Sequence, residues 1–412
     1  MSVKQKNEAP VPLLLISDAP SCSSGLGRIT RDLAVRIHAN LSNIFRVGVL
    51  GYGGTGSRKF GFSQYMIEGM NDWMIPTLPE VWEDFAGQEK GIIFSIWDAS
   101  RLMWFSQPNR CEMLNAYPVL RDWLIKAPFI RWGYFPIDAE GPNGKFSFPL
   151  NQTLLGFDRI LAYGQWASDV IERSIGEGNA QKRSLDFRPH GIETDIFYQH
   201  NRTDCRYKFG SITGAQTLVK VPLLSSIMND EILIGIVATN QARKNWALGI
   251  ETAALVAKDR KVRLWIHTDV LERNWSIPSL LVDYGLVDKT MISLGYLPDE
   301  EMARAYSACD VTLGIGPEGW GLPLGESLAC GTPVITGNYA GGAEITPDEM
   351  HVEPIAYYRE GLYACVRPVF KTNDWAEKVI RNLDKRAALD PQYAWKNLWP
   401  RWQSWFEEGL NG

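Results

Sequence analysis

Residues Leu294–Glu344 read LGYLPDEEMARAYSACDVTLGIGPEGWGLPLGESLACGTPVITGNYAGGAE. Val311–Ile315 is an apolar run of strand length, and a turn rich in glycine (Gly319, Gly321) follows it. Leu322–Cys330 then carries helical spacing, and Pro333–Thr336 reads as a further short strand. Strand, turn, helix and strand in succession is the signature of a parallel βαβ unit. The same rhythm continues upstream, with a helix at Asp299–Cys309 and a strand at Met291–Leu294.

Working outward, the second half adds strands at Ile232–Val237 and Arg263–His267 and helices at Trp246–Ala257 and Asp374–Leu383. The first half repeats the pattern with strands at Leu13–Ser17, Arg46–Leu50, Ile92–Trp97, Ile130–Phe135 and Arg159–Ala162. Apolar residues take helical spacing in Ile29–Ile37 and Trp166–Ile175. The fold class is therefore α/β with parallel sheets. A chain of 412 residues exceeds one ordinary core, so two domains are expected.

The boundaries follow from where the rhythm fails. Asn201–Glu231 has no clean period and contains Gly210, Gly214 and Pro222. This predicts an N-terminal Rossmann-like domain over 1–200, a linker and insertion over 201–231, and a second Rossmann-like domain over 232–388. The closing residues 389–412 are expected to form a helix that returns to the N-terminal domain. Its Trp395, Trp399, Trp402 and Trp405 require a large apolar partner, expected in the groove between the domains.

Bulk composition excludes several classes. Hydrophobic residues at 45% and charged residues at 22% suit a folded globular chain rather than a disordered one. The net charge of −5 divides into −1 for residues 1–200 (20 basic, 21 acidic) and −4 for the remainder (22 basic, 26 acidic), so neither half has the basic excess of a dedicated nucleic-acid binder. Six scattered cysteines without a Cys-x-x-Cys pair read as reduced thiols. Lys4 and Lys6 precede an apolar run, Pro12–Ile16, too short for a signal peptide, and no run approaches the roughly 18 apolar residues of a membrane span. A cytoplasmic location is expected.

Four places carry chemistry. Glu318 and Glu326 flank the Gly319–Gly321 turn, where glycines admit backbone N–H groups to a diphosphate and the next helix N-terminus favours its charge. Taken alone, the pair reads equally as two solvated acids at a strand–helix turn. Arg243 and Lys244 stand in the turn after Ile232–Val237, and two adjacent cations suit a diphosphate or, more blandly, a solvated basic turn. Ser17–Arg31 is a strand, a loop with Gly25 and Gly27, and a helix start. Arg131–Pro142 brings Asp138 and Glu140 to the end of a strand, the edge at which ligands of open α/β sheets gather.

The pieces Gly295–Tyr296, Asp310, Glu318-Gly-Trp-Gly-Leu-Pro-Leu-Gly-Glu326, Gly331-Thr-Pro-Val334 and Gly341-Gly342-Ala-Glu344 resemble the donor-site signature of glycosyltransferase family 4, the glycosyl transferases group 1. The resemblance covers some fifty residues of the chain. It implies a retaining enzyme of the GT-B fold, two Rossmann-like domains facing across a cleft, that takes a nucleoside diphosphate sugar, expected to be a UDP-sugar. Gly295 and Tyr296 would lie along the nucleobase, Glu326 would hold the ribose, and Glu318 would touch the sugar. Lys244 and Arg243 would neutralise the diphosphate beside Gly319, Gly321 and Leu322, with Gly27 closing from the other domain. The family's usual Arg, about five residues before the Lys, is absent; Thr239 and Asn240 stand in that neighbourhood. The family's His near Arg131–Pro142 is also absent, so Asp138 is the first candidate for an acid facing the reacting sugar and Asp98 the second. His190 resembles a structural turn before the linker. No cofactor is expected beyond the sugar nucleotide, and no Asp-x-Asp pair offers a donor metal site.

The acceptor belongs to the N-terminal domain, with Arg28, Asp98 and Trp97 as candidates. Trp73, Trp82, Trp97, Trp104, Trp123, Trp132 and Trp166 could stack on sugars or bases, though core packing accounts for most tryptophans. Arg28, Arg31, Arg58, Lys59, Arg101, Arg110 and Arg131 could guide an anionic acceptor if they gather in space. Glycans, lipids, small molecules and a hydroxymethylated DNA base all fit a hydroxyl acceptor, although the near-neutral first half argues against tight DNA binding. The rival reading is a non-catalytic sugar-nucleotide-binding or scaffold protein, whose signature would be loss of Glu318, Glu326 or Lys244; all three remain. A GT-B phosphorylase would require a cofactor lysine, for which no candidate stands out.

Overall fold

A computed structural model of the chain describes residues 9–54, 59–67, 76–218 and 226–410. Lys4, Lys6, Arg58, Trp73 and Pro222 lie outside the described residues. The chain forms two compact units, residues 1–188 with 401–412, and residues 189–400.

The first unit is built on a seven-stranded parallel sheet. Its strands are β1 (Val11–Asp18), β2 (Phe45–Tyr52), β3 (Ser63–Ile67), β4 (Gly91–Ser95), β5 (Phe129–Phe135), β6 (Arg159–Ala162) and β7 (Asp186–Phe187), in the order β3-β2-β1-β4-β5-β6-β7. β1 lies between β2 and β4, with Leu14 beside Gly48 on one side and Ile93 on the other. The continuous apolar run of β1 matches a strand covered on both faces, and Leu13 to Ile16 are fully buried. The helix Gly25–Asn40 follows β1; Ile29, Leu33, Ala34 and Ile37 form its buried face.

The second unit holds a six-stranded parallel sheet of β8 (Ile232–Val237), β9 (Val262–Thr268), β10 (Thr290–Leu294), β11 (Val311–Gly314), β12 (Val334–Gly337) and β13 (His351–Val352), in the order β10-β9-β8-β11-β12-β13. An antiparallel hairpin, β14 (Ala356–Glu360) and β15 (Cys365–Val369), follows it. The expected strands and helices are present with ends moved by at most two residues, except that the helix expected over Ile29–Ile37 runs from Gly25 to Asn40. β3, β7, β13 and the hairpin were not legible as strands. β7 and β13 are two residues long, while β3 has no buried residue and β14 is exposed along most of its length, so none shows a hydrophobic pattern.

The stretch 201–231 lies inside the second unit rather than between units. It forms helices Arg202–Tyr207 and Phe209–Thr213, and Gln216 exchanges backbone hydrogen bonds with Ile292 of β10. Its anchor is charge: Arg206, 4% exposed, donates to Asp310 at 2.6 Å and to the Ala308 and Glu231 carbonyls at 3.1 and 2.8 Å.

The closing helix is Trp395–Glu408. Its last turns belong to the first unit, and their ring partners lie there. Trp402 meets Tyr134 at 5.0 Å, Trp405 meets Trp132 at 5.1 Å, and Phe406 meets Phe94 at 5.8 Å. Arg159 lies 4.4 Å over the Trp405 ring and donates to its carbonyl at 3.0 Å. Aromatic pairs of this kind contribute about 0.5–1.5 kcal/mol each beyond their buried area.

Candidate functional site

Strand order decides where the site forms. β8 and β11 are neighbours, with Val311 beside Ile234, and the sheet grows outward from them in opposite directions. The connections leaving such a pair run to opposite faces and open a crevice at the carboxyl ends of the strands. The segment 238–245 leaves β8 there, and 315–321 leaves β11. The Asn245 N–H donates to the Ile315 carbonyl at 2.8 Å and stitches the two together.

Across this stitch the Lys244 ammonium pairs with Glu318 Oε1. Arg243 Nη1 donates to the Pro317 carbonyl at 2.8 Å and stands 3.5 Å from Glu318 Oε2. Lys244 is 4% exposed. Two cations thus converge on one carboxylate at this point. Beneath them, between the ends of β8 and β11, is a cavity of about 10 Å³ lined by Val237, Gly314, Ile315, Glu318 and Leu324, just large enough for one water. The site thus rests on a tightly filled floor, with Lys244 withdrawn from water, where charge interactions are stronger than in water.

The turn into the helix Leu322–Ala329 needs its glycines. Gly321 has φ +99°, in the left-handed region, and caps the helix without a side chain. A Cβ on Gly341 would stand 2.0 Å from the Gly319 carbonyl oxygen, so the 339–341 turn lies directly against the Gly319 backbone. The helix N-terminus brings a positive field to this point. Glu326 sits one turn further on and is 4% exposed. Gly295, at φ +77°, donates its N–H to the Thr268 carbonyl at 3.0 Å, and Tyr296 beside it is exposed at the end of β10.

Several residues of the motif prove to be supports. Asp310 accepts from Arg202, from Arg206 and from the Leu233 N–H at 2.7 Å, tying the start of β11 to β8. Asn240, in the neighbourhood where the family places an Arg, is fully buried. It donates to the Trp275 carbonyl at 2.8 Å, accepts from the Trp275 N–H at 3.0 Å, and its own N–H reaches Asp269 at 2.7 Å. It clamps the segment after β9 and presents no cation. His190 is buried against the Trp320 ring at 5.3 Å, and burial lowers its pKa to about 3. Trp320 in turn meets Tyr393 at 5.8 Å, so His190 shapes the glycine-rich turn from below as a neutral ring. His267 is held in the same neutral form, its pKa lowered to about 4 by burial, with Nδ1 2.9 Å from Ser293 Oγ.

In the first unit the carboxyl ends of β1, β4, β5 and β6 carry the remaining candidates. Asp18, absent from the sequence reading, is central: it accepts from Ser24 Oγ at 2.5 Å and from Trp97 Nε1 at 3.0 Å. An acid ending a strand just before a glycine-rich loop was the available signal. Ser24 caps the helix by accepting from the Gly27 N–H at 3.0 Å, and a Cβ on Gly27 would come 2.6 Å from the Ala19 carbonyl. Gly27 therefore serves a cap and a close approach, and its N–H is engaged there rather than turned to a phosphate. Trp97 is fully buried and supports Asp18 instead of offering a stacking face. Asp98 stands 3.6 Å from Arg101, and the buried Tyr163 hydroxyl lies near enough for Asp98 and Asp18 to help hold its pKa up, after burial itself. Arg28 is half-buried in the first turn of Gly25–Asn40, and Asp138 is half-buried after β5; Glu140 pairs with Arg173 at 3.3 Å.

Several described members of the expected basic set have partners close at hand in the fold. Arg131 spends its guanidinium on the Phe105 and Leu124 carbonyls at 3.0 and 2.6 Å, Arg110 on Gln152, and Arg31 lies 3.4 Å from Asp32. Trp82, Trp104 and Trp132 are core residues; Trp123 and Trp166 are half-buried. Among the described residues no group of three or more His, Cys, Asp or Glu could hold a metal, and no helix is long and apolar enough to cross a membrane.

Residues 231–385, which contain this site, match the family model described as Glycosyl transferases group 1. The chain is 23% identical over 235 residues to D-inositol 3-phosphate glycosyltransferase of Mycobacteroides abscessus, covering 56% of this chain and 45% of that protein. It is 29% identical over 168 residues to O-antigen chain mannosyltransferase B of Escherichia coli, covering 39% and 42%. The chain spans less than half the length of these curated relatives. Among solved structures it resembles HepE from Anabaena in complex with UDP and glucose, with a TM-score of 0.61 at 12% identity over 91% of this chain and 90% of that one. At that identity the fold is what is shared, and it is GT-B: two parallel α/β sheets, with the closing helix in part on the first.

Proposed function

We propose that this chain is a glycosyltransferase that takes its sugar from a nucleoside diphosphate sugar, a UDP-sugar first, and passes it to a hydroxyl group with retention of configuration. The observation that carries the reading is the Lys244–Glu318 pair with Arg243 beside it, at the carboxyl ends of β8 and β11 and next to the glycine-capped helix Leu322–Ala329. Lys244, Arg243 and the backbone N–H groups around Gly319, Gly321 and Leu322 would neutralise the diphosphate; this chemistry requires no metal. Glu326 would accept from the ribose hydroxyls and Glu318 from those of the sugar, with Gly295 and Tyr296 along the base. The glycine-rich turn supports the same reading, because it lets the backbone approach closely. The resemblance to a glycosyltransferase family over 231–385, and to a fold seen with UDP in HepE, points the same way.

In the proposed reaction the bond from the anomeric carbon to the diphosphate oxygen breaks. The acceptor oxygen bonds to that carbon on the same face, and the acceptor's proton passes to the departing diphosphate. The protein's part is chiefly to position two substrates and stabilise the leaving charge. The acceptor is assigned to the first unit, where Arg28, Asp98 and Asp138 stand on the carboxyl edge of the sheet. The test is thermal stabilisation by a panel of nucleotides and sugar nucleotides. A shift with one nucleoside diphosphate family, lost in Lys244→Ala and Glu326→Ala, supports the donor site. Folded protein that no nucleotide stabilises would reject it.

A further inference from the structure

At the opposite end of β8 and β11 lies a second polar concavity. Its volume is about 400 Å³, and Arg202, Arg206, Asp310, Asp384, Lys385 and Arg386 line it. Four cations against two carboxylates give it a formal charge of +2. Asp310 immediately precedes β11 whereas the donor loop follows it, so at about 3.3 Å per residue the two sites are roughly 15 Å apart along the strand.

Two features go beyond ordinary surface charge. Arg202 and Arg206, four apart on one helix face, share the single carboxylate of Asp310. Arg202 Nε is buried and has no hydrogen-bond partner among the described residues. Burial, then the like charges of Arg206 and Arg386, lower the Arg202 pKa to about 10. Lys385 and Arg386 follow the helix Thr372–Asn382, whose carbonyl end attracts cations. That accounts for their place in the chain but not for their convergence on Arg202. A cluster of four cations around one shared carboxylate is stabilised by a multiply charged oxyanion, which can accept from several guanidinium N–H groups at once.

We propose that this cavity binds the dianion of a phosphate monoester, held by Arg202, Lys385 and Arg386 against a wall made by the Arg206–Asp310 pair. The site is distinct from the donor site and stands independently of the glycosyltransferase reading.

Isothermal titration calorimetry with inorganic phosphate, against chloride at matched ionic strength, tests it. Saturable binding to the native chain is expected, about tenfold or more weaker in the Lys385→Ala/Arg386→Ala variant, with circular dichroism melts showing both proteins folded. Arg202→Gln serves as the second variant should the double one unfold. Glycerol phosphate should compete with phosphate, while a short single-stranded oligonucleotide, a phosphodiester, should not. Absence of saturable heat, equal binding by native and variant proteins, or tighter binding of the oligonucleotide than of phosphate would each overturn the proposal.

Discussion

Lys244 and Glu318 are 74 residues apart in sequence and form a buried ion pair, because β8 and β11 are adjacent strands whose loops leave on opposite faces of the sheet. Arg243 extends the pair to a triad, standing 3.5 Å from the other carboxylate oxygen. Replacing Lys244 by Ala removes the compact cation and leaves the Glu318 carboxylate facing Arg243 alone. Donor turnover should fall about 100-fold or more, the scale of losing one transition-state charge partner. Steady-state kinetics with the donor identified by thermal shift checks this, and a fall of less than about threefold would remove Lys244 from the proposed chemistry.

Glu326 is separable from Glu318 by what it affects. A residue that holds the ribose contributes uniform binding, so Glu326→Gln should raise KM for the donor about tenfold with kcat little changed. Glu318→Gln should lower kcat instead. Equal effects of the two variants on both parameters would show that the roles are wrongly divided.

Gly341→Ala tests the geometry of the turn independently of charge. Its Cβ would come 2.0 Å from the Gly319 carbonyl, so the 319–321 turn or the helix start must move. Overpacking of this kind costs about 1–3 kcal/mol. A lower urea midpoint together with weakened nucleotide binding is expected; unchanged values of both would mean that the turn adapts.

Asp310→Ala leaves Arg206 buried without its carboxylate and removes the acceptor of the Leu233 N–H. Loss of one partner from a buried pair costs about 3–5 kcal/mol, and chemical denaturation should show a drop of that order. Asp310→Asn keeps an acceptor for the Leu233 N–H and should recover part of it.

Stability should fall as pH drops from neutral. Burial holds His190 neutral in the folded chain down to about pH 3, whereas the unfolded chain protonates near pH 6.5. In that window the unfolded state binds the extra proton, so stability is present above pH 6.5 and is lost as pH falls toward 3. Between pH 6.5 and 5 His190 alone should account for about 2 kcal/mol. Denaturation midpoints at the two pH values, for the native chain and for His190→Gln, measure it; an equal pH dependence in both would contradict the burial effect.

Much of this was legible along the chain. The strand–turn–helix around Glu318 and Glu326 announces itself because a strand buried on both faces is a continuous apolar run and a helix start after glycine is a local event. The 201–231 stretch was illegible for the converse reason. It docks through Arg206 and Asp310, residues 104 apart, and a buried salt bridge has no sequence period. The short strands β7 and β13 escaped notice because two residues cannot show alternation.

Sequence by itself therefore determined the α/β class, the succession of βαβ units and the glycine-rich motif around Glu318 and Glu326, all of which rest on neighbours within about a dozen positions. Only the tertiary structure decided which of the singled-out residues meet. It paired Lys244 with Glu318, turned Trp97 and the Gly27 N–H inward, drew Arg131 onto backbone carbonyls, and revealed Asp18 and the Arg202 cavity. Those outcomes depend on strand order and on which side chains lose their water, and a linear pattern records neither.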